Sequence, residues 1–275
     1  MIRVIKTITS GYIDQSFEDR KNISKRRPPK SLLKKIKKSV GKDDLGHISS
    51  RHRGAGAKRL YRIVSTLETV SSDEVEVLSI DYDPNRSARL ALVGLIDGTK
   101  KYIIAPENLN VGDKIKADKD DDFRVGDRSK LKDIPVGTQV CDVQMYPQSK
   151  KSFSRAAGTY VTILAVEGAY ALLRLASGET KKVSIECYAT VGQASNSDHS
   201  NIRIGKAGRK RKMNIRPHVR GKAMSPRAHP HGGGEGVNPI GLKYPKTPWG
   251  KIAIGKKTRS RKKSGKFIVK RANER

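Results

Sequence analysis

Cysteine, aromatic side chains and long apolar runs are all scarce in this 275-residue sequence, and each shortage removes a class of protein. The two cysteines, Cys141 and Cys187, stand in apolar, strand-like surroundings with no Cys-x-x-Cys and no second pair. A zinc finger and a disulfide scaffold are therefore both excluded, and a reducing cytosol is the expected setting. One Trp and four Phe within a 35% hydrophobic composition leave little for one large core, so any core must be local. No window approaches 18 consecutive apolar residues and Met1–Ser10 has no apolar stretch of signal-peptide type, which argues against secretion and membrane spanning. The basic stretch Lys25–Lys38 has too thin an apolar face for a membrane-surface helix.

Acids are outnumbered by bases only at the two ends. Residues 201–275 hold 23 Lys+Arg against 2 acids and residues 1–60 hold 17 against 5, whereas residues 61–200 hold 18 against 20. A near-neutral middle between two strongly basic ends places the net charge of +31 for a partner, and that partner is a dense polyanion. The Gly- and Pro-dotted ends cannot bury enough apolar surface to fold alone, so they are expected to be mobile when free and ordered on the partner.

The middle reads as strands. Runs at Tyr61–Leu67, Val75–Ile80, Ala88–Ile96, Tyr102–Ala105 and near Ile115 are separated by the turn signals Asp83-Pro84-Asn85, Asp97-Gly98-Thr99 and Val111-Gly112-Asp113. This pattern predicts a small barrel of the OB type. The acidic stretch 118–122 and Ile134-Pro135 precede a second set at Gln139–Met145, Thr159–Val166, Ala169–Leu175, Thr180–Ile185 and Cys187–Val191, with hairpin signals at Glu167-Gly168 and Ser177-Gly178-Glu179. A second antiparallel barrel, SH3-like, is predicted there, packed on the first because each alone is small. The expected fold class is thus an all-β core flanked by long irregular basic extensions, divided as 1–59 (N-terminal extension), 60–125 (OB-like domain), 126–200 (SH3-like domain) and 201–275 (C-terminal extension). No long amphipathic helix is visible.

Two basic clusters interleave charge with small residues: Arg51-His52-Arg53-Gly54-Ala55-Gly56-Ala57-Lys58-Arg59 and Gly205-Lys206-Ala207-Gly208-Arg209-Lys210-Arg211-Lys212. With glycine present and no acid to pair, a solvated helix face is disfavoured, and an extended backbone following a groove while Arg and Lys reach phosphates is expected. No helix-turn-helix, zinc-finger or basic-zipper pattern is visible, so folded RNA is preferred over DNA; with 5% aromatics, base stacking is not the main mode. The loop Ala228-His229-Pro230-His231-Gly232-Gly233-Gly234-Glu235-Gly236 lets backbone approach a ligand closely. The spacing of His229, His231 and Glu235 matches no standard metal motif, and acid–base work by His229 would need an orienting partner that sequence cannot show. Gly250–Lys257 has the glycine spacing of a P-loop, but Lys257 stands where Ser or Thr would hold magnesium and no buried strand precedes it. No metal, cofactor, small-molecule substrate or protein-borne catalysis is expected.

Long blocks of the chain resemble the bacterial large-subunit ribosomal protein L2 family over essentially its whole length. They are RHRGAGAKRLYR (51–62), YDPNRSARLALV (82–93), YIIAPENLNVGDKI (102–115), AGTYVTILAVEGAYALLRLASGE (157–179), NIRIGKAGRKRK (201–212), RPHVRGKAMSPRAHPHGGGEG (216–236) and TPWGK (247–251). The resemblance implies OB-type and SH3-like barrels, with both extensions threaded into large-subunit ribosomal RNA. It also implies contacts with neighbouring ribosomal proteins, a bridge to the small subunit, and indirect support of tRNA binding and of the peptidyl-transferase region. By motif position, Arg86 and Arg155 would anchor the barrels to RNA and His229 would face the peptidyl-transferase side. RNA contact is expected at Arg51, His52, Arg53, Lys58, Arg59, Arg62, Arg86, Arg155, Lys206, Arg209, Lys210, Arg211, Arg216, Arg220, Lys222, Arg227 and His231. The chain departs from the usual pattern at Gly54-Ala55-Gly56-Ala57, where a His is absent, at Gln148–Ser152, which replaces a Gly-rich loop, and at Ser225-Pro226-Arg227-Ala228, which removes an acid beside His229.

Overall fold

The computed structural model describes residues 2–4, 9, 15–69, 74–118, 122–236, 238–255 and 265–272. Strands β1 (Ile2–Val4), β2 (Ser16–Glu18), β3 (Leu33–Lys35) and β4 (Leu60–Arg62) precede a first barrel of β5 (Val75–Asp81), β6 (Leu90–Gly94), β7 (Lys100–Ile104) and β8 (Lys114–Ile115). A second barrel follows with β9 (Arg128–Lys130), β10 (Gln139–Cys141), β11 (Val143–Gln144), β12 (Ser152–Phe153), β13 (Val161–Glu167), β14 (Tyr170–Arg174), β15 (Thr180–Ser184) and β16 (Tyr188–Val191). Helix α1 (Ala207–Lys212) and strand β17 (Ile268–Lys270) complete the chain. The fold is all-β, an OB-type barrel followed by an SH3-like barrel, with basic and largely irregular extensions.

The chain forms two compact units. One comprises Met1–Lys37, Lys58–Lys206 and Lys266–Arg275 and holds both barrels; the other comprises Lys38–Ala57 and Ala207–Gly265.

In the barrel unit, β7, β6, β5 and β8 form one antiparallel sheet, and β17, β15, β14, β13, β10, β16 and β9 form another. Register shifts at Val77/Ser79 and at Ile163/Ala165 add the local bend that lets short sheets curl. Leu90, Ala91, Leu92 and Val93 are all buried because β6 is covered on both faces. Ala91 and Val93 join Val75, Val77, Ile103 and Ile115 in one core, while Leu90 and Leu92 pack with Tyr102, Ile104, Leu32 and Val64 on the other side. A strand buried on both faces reads as a continuous apolar run, which is how 88–96 presents itself in the sequence. Leu131, Ile134, Val140, Val161, Ile163, Leu173, Val183 and Cys187 fill the second barrel. Burial raises the thiol of Cys141 to about 12 and that of Cys187 to about 11, so both are inert apolar fillers.

Three expectations are corrected. The expected strand Gln139–Met145 is split at Asp142, which takes a left-handed conformation at φ 47° and separates β10 from β11. The run Tyr61–Leu67 forms only β4 and then a 3-10 turn at Leu67–Thr69. The cluster 205–212, expected to be extended, contains α1. Lys and Arg are good helix formers, and Arg209–Lys212 lie in its last turn, where the carbonyl ends favour cations. That electrostatic fit outweighs the local cost of Gly208 over one and a half turns.

Candidate nucleic-acid interface

The two basic clusters, some 160 residues apart in sequence, meet as paired backbone. Arg53 and Ile215 form an antiparallel bridge. The Gly54 amide donates to Asn214 O at 3.0 Å, the Ala57 amide to Lys212 O at 3.0 Å and the Arg216 amide to His52 O at 3.0 Å. Lys38 Nζ donates to the carbonyls of Ala55 and Ala57 at 2.8 and 2.5 Å, tying off groups that a strand partner would otherwise take. His52, at φ 57°, places its ring 4.3 Å from that of His218, and the Arg51 guanidinium lies 4.5 Å from the Trp249 ring centroid. Arg51, Arg53, Lys210, Arg211, Arg216, Arg220 and Arg227 are exposed, with Arg209 and Lys222 partly so.

In this second unit, among the described residues, His229 alone is buried, at 7% exposure. Its Nδ1 accepts the His231 amide at 3.1 Å, and His231 Nε2 accepts the Lys246 amide at 2.8 Å. A backbone amide can only donate, so Nδ1 of His229 carries no proton in this arrangement. Burial, then the neighbouring His231 and the Arg51 charge, hold the His229 pKa below its ordinary value of 6.5. Gly221 makes the pocket: a Cβ there would lie 2.5 Å from His229 Cε1. Gly232 allows the loop to close, since a Cβ there would lie 2.2 Å from Ser225 O. Among the described residues a backbone amide, and no acid, bonds this imidazole. Among the described residues no three His, Cys, Asp or Glu side chains are placed to hold a metal. Of the P-loop-like stretch 250–257, Lys256 and Lys257 lie outside the described residues, as do residues 119–121 of the acidic stretch; Lys246 and Ile252 bridge in a local turn instead.

In the barrel unit, Lys58 and Lys206 are exposed, while three other expected anchors converge on the turn at Asp83-Pro84-Asn85. Arg86 Nη1 donates to Asp83 Oδ2 at 2.6 Å and its Nη2 to Tyr61 Oη at 2.8 Å; Arg62 Nη1 reaches Asp83 Oδ1 at 3.4 Å; Arg59 Nη1 donates to Pro84 O at 2.6 Å. Asp83 is itself 1% exposed, so its carboxylate aligns the arginines. Arg155 Nε pairs with Asp142 Oδ1 at 3.1 Å.

Behind Arg155 lies a network that sequence reasoning missed. Arg128, 1% exposed, pairs with Glu68 from the first barrel, and its Nη1 donates to Asp142 O at 2.9 Å and Thr190 Oγ1 at 2.8 Å in the second. Gln144 Nε2 also donates to Glu68, at 2.7 Å. Main-chain bonds run alongside, with the Ser195 amide on Ala105 O at 3.1 Å and the Glu107 amide on Gln193 O at 2.6 Å. A lone Arg in Gly126-Asp127-Arg128-Ser129-Lys130 carries no pattern that separates it from 57 other basic residues; its burial is a tertiary fact.

Residues 29–117 match the family description "Ribosomal Proteins L2, RNA binding N-terminal domain", and residues 124–250 match "Ribosomal Proteins L2, C-terminal domain". The two matches follow one another along the chain, meet at the junction between the barrels, and take in both basic clusters and the His229 loop. The chain belongs to the ribosomal protein L2 family, a structural, RNA-binding family of the large ribosomal subunit.

Proposed function

We propose that this chain is a non-catalytic component of the large ribosomal subunit that binds ribosomal RNA, and that by ordering RNA it supports subunit association, tRNA binding and assembly of the peptidyl-transferase region. One observation carries the reading. The unit formed by 38–57 and 207–265 holds 21 Lys+Arg against 3 acids and, among its described residues, no buried apolar side chain. Such a body lacks the apolar burial that offsets chain entropy and must draw its order from a polyanion. Further partners, neighbouring ribosomal proteins and the small subunit, follow from that place in the ribosome.

The site residues belong to the proposal too. Arg51, Arg53, Arg209, Lys210, Arg211, Arg216, Arg220 and Arg227 would contact phosphates. Arg155 is oriented by Asp142 and Arg86 by Asp83, and both would meet phosphate from those positions. His229 would be packed support for RNA, its Nδ1 already occupied by an amide. Barrels at 60–125 and 126–200, flanked by RNA-bound extensions at 1–59 and 201–275, remain the proposed domain division.

Sedimentation of the tagged protein from lysate on sucrose gradients at moderate and high salt tests this. The expected result is co-sedimentation with the large subunit and with translating ribosomes that survives high salt. Protein that stays at the top of the gradient, or is stripped by modest salt, would overturn an integral role.

A further inference from the structure

The SH3-like barrel carries a cleft of about 210 Å³ whose walls include Tyr146, Tyr170 and Phe267 and whose lining contains Lys181 and Lys182 but no carboxylate. Val183, 3% exposed, forms part of its base. Its aromatic walls face water in part: Tyr146 is 58% exposed and Tyr170 45%. Among the described residues, six of the chain's 14 aromatic side chains are exposed, and these are the two that stand together beside one cleft, where they offer flat apolar faces to whatever enters it. Phe267 arrives from far along the sequence. Strand β17 pairs with β15, Thr180 opposite Lys270 and Lys181 opposite Ile268, and this edge addition brings Phe267 to the cleft with the Lys266 ammonium 5.1 Å from its ring centroid.

We propose that this cleft receives an unstacked nucleotide of single-stranded RNA, its base against the Tyr146, Tyr170 and Phe267 rings and its phosphates at Lys182 and Lys266; the Lys181 ammonium lies over the Phe153 ring, 5.1 Å from its centroid. Aromatic rings offer a flat apolar face that any base can stack on, and a lysine rim without acids selects an anionic backbone. The volume suits one base and its sugar, not a helix. This deepens the RNA-binding reading and rests on it: the basic unit holds RNA by charge, whereas this cleft holds one nucleotide by stacking. It is a local site, in keeping with a composition too poor in aromatics for stacking to dominate.

The test measures affinity of the full-length protein for protein-free large-subunit ribosomal RNA as a function of salt, with thermal unfolding of each variant as the fold control. Tyr170→Ala and Tyr146→Ala are expected to weaken binding about 5- to 100-fold each with an unchanged salt slope, because no phosphate contact is lost. Tyr170→Phe retains wild-type affinity, since the ring and not the hydroxyl is used. Lys182→Ala lowers the slope by roughly 0.7 to 0.9. Zero-length ultraviolet crosslinking is expected to map to the peptides carrying Tyr146 or Tyr170. Wild-type affinity in both alanine variants, with the fold intact and RNA binding salt-dependent as before, overturns the cleft and leaves the RNA-binding reading standing. Failure of the wild-type protein to bind ribosomal RNA overturns that reading itself. Unchanged affinity for naked RNA together with lost incorporation into subunits means that a protein segment occupies the cleft, and also overturns the proposal.

Discussion

The two compact units of this chain are held together by different physics. The barrel unit has two apolar cores, with side chains such as Leu90, Val77, Ile163 and Leu173 withdrawn completely from water, and a buried Arg128 bonded to both barrels. The basic unit has paired backbone, tight turns and one buried imidazole. The first can fold on its own apolar surface; the second is arranged so that its side chains remain available outside. Under the proposed function this difference has a use: a segment that enters a crevice in RNA keeps its cations exposed, and a core would consume chain needed for that contact.

Predictions that would break this contrast run from large to small. Arg128→Ala removes the one guanidinium shared by Glu68 and Asp142, leaving Glu68 to Gln144 and Asp142 to Arg155 and Ser152, and urea unfolding of the barrel unit should lose at most about 3–5 kcal/mol. Leu173→Ala empties a site with 0% exposure and should cost about 2–5 kcal/mol in the same experiment. If either change left the unfolding midpoint where it was, the barrel unit would not be held as described. Replacing Arg209, Lys210 and Arg211 together by Ala should do the reverse: the urea midpoint stays, while the slope of log affinity for RNA against log salt falls by roughly 2 to 3.

Finer tests probe His229, the one buried residue among those described in the basic unit. Gly221→Ala puts a methyl into the space of the His229 ring and should displace the imidazole, seen as a shift of its NMR resonances with barrel resonances unchanged. The smallest effect is pH-dependent. The folded pKa of His229 lies below its ordinary 6.5, so the neutral ring favours the folded loop. That contribution is fully present above about pH 6.5 and is lost as pH falls through the ordinary value toward the lowered one, because the unfolded chain takes up the proton first. Hydrogen-exchange protection of the His231 amide should decline over that acid window and not on the alkaline side.

Strand positions were legible where one physical signal dominated. The alternation and apolar runs at 75–80, 159–166, 169–175 and 180–185 each mark a strand because side chains there face a core, and the hairpin signals at Gly168 and Gly178 sit where φ is positive, at 54° and 83°. What escaped was held by distant partners. Strand β9 reads as a charged loop because Arg128 finds its carboxylates 14 and 60 residues away. Strand β17 is a basic tail sequence that becomes an edge strand only against β15. The left-handed Asp142 interrupts an apparently continuous run because Arg128, Ser152 and Arg155 all bond its carboxylate. At the candidate site, the basic clusters were legible from charge, but their pairing through Gly54, Ala57, Asn214 and Arg216 was not, since backbone bonds leave no mark on composition.

By itself the sequence determined the class of partner and the class of fold, because net charge and apolar periodicity are local sums over neighbouring residues. Only the tertiary structure decided which arginines are exposed and which are paired with buried acids, how His229 comes to be covered in a unit whose described residues hold no buried apolar side chain, and where Tyr146, Tyr170 and Phe267 come together. Those depend on contacts between residues far apart in the chain, and such contacts are chosen by the shape of the whole fold.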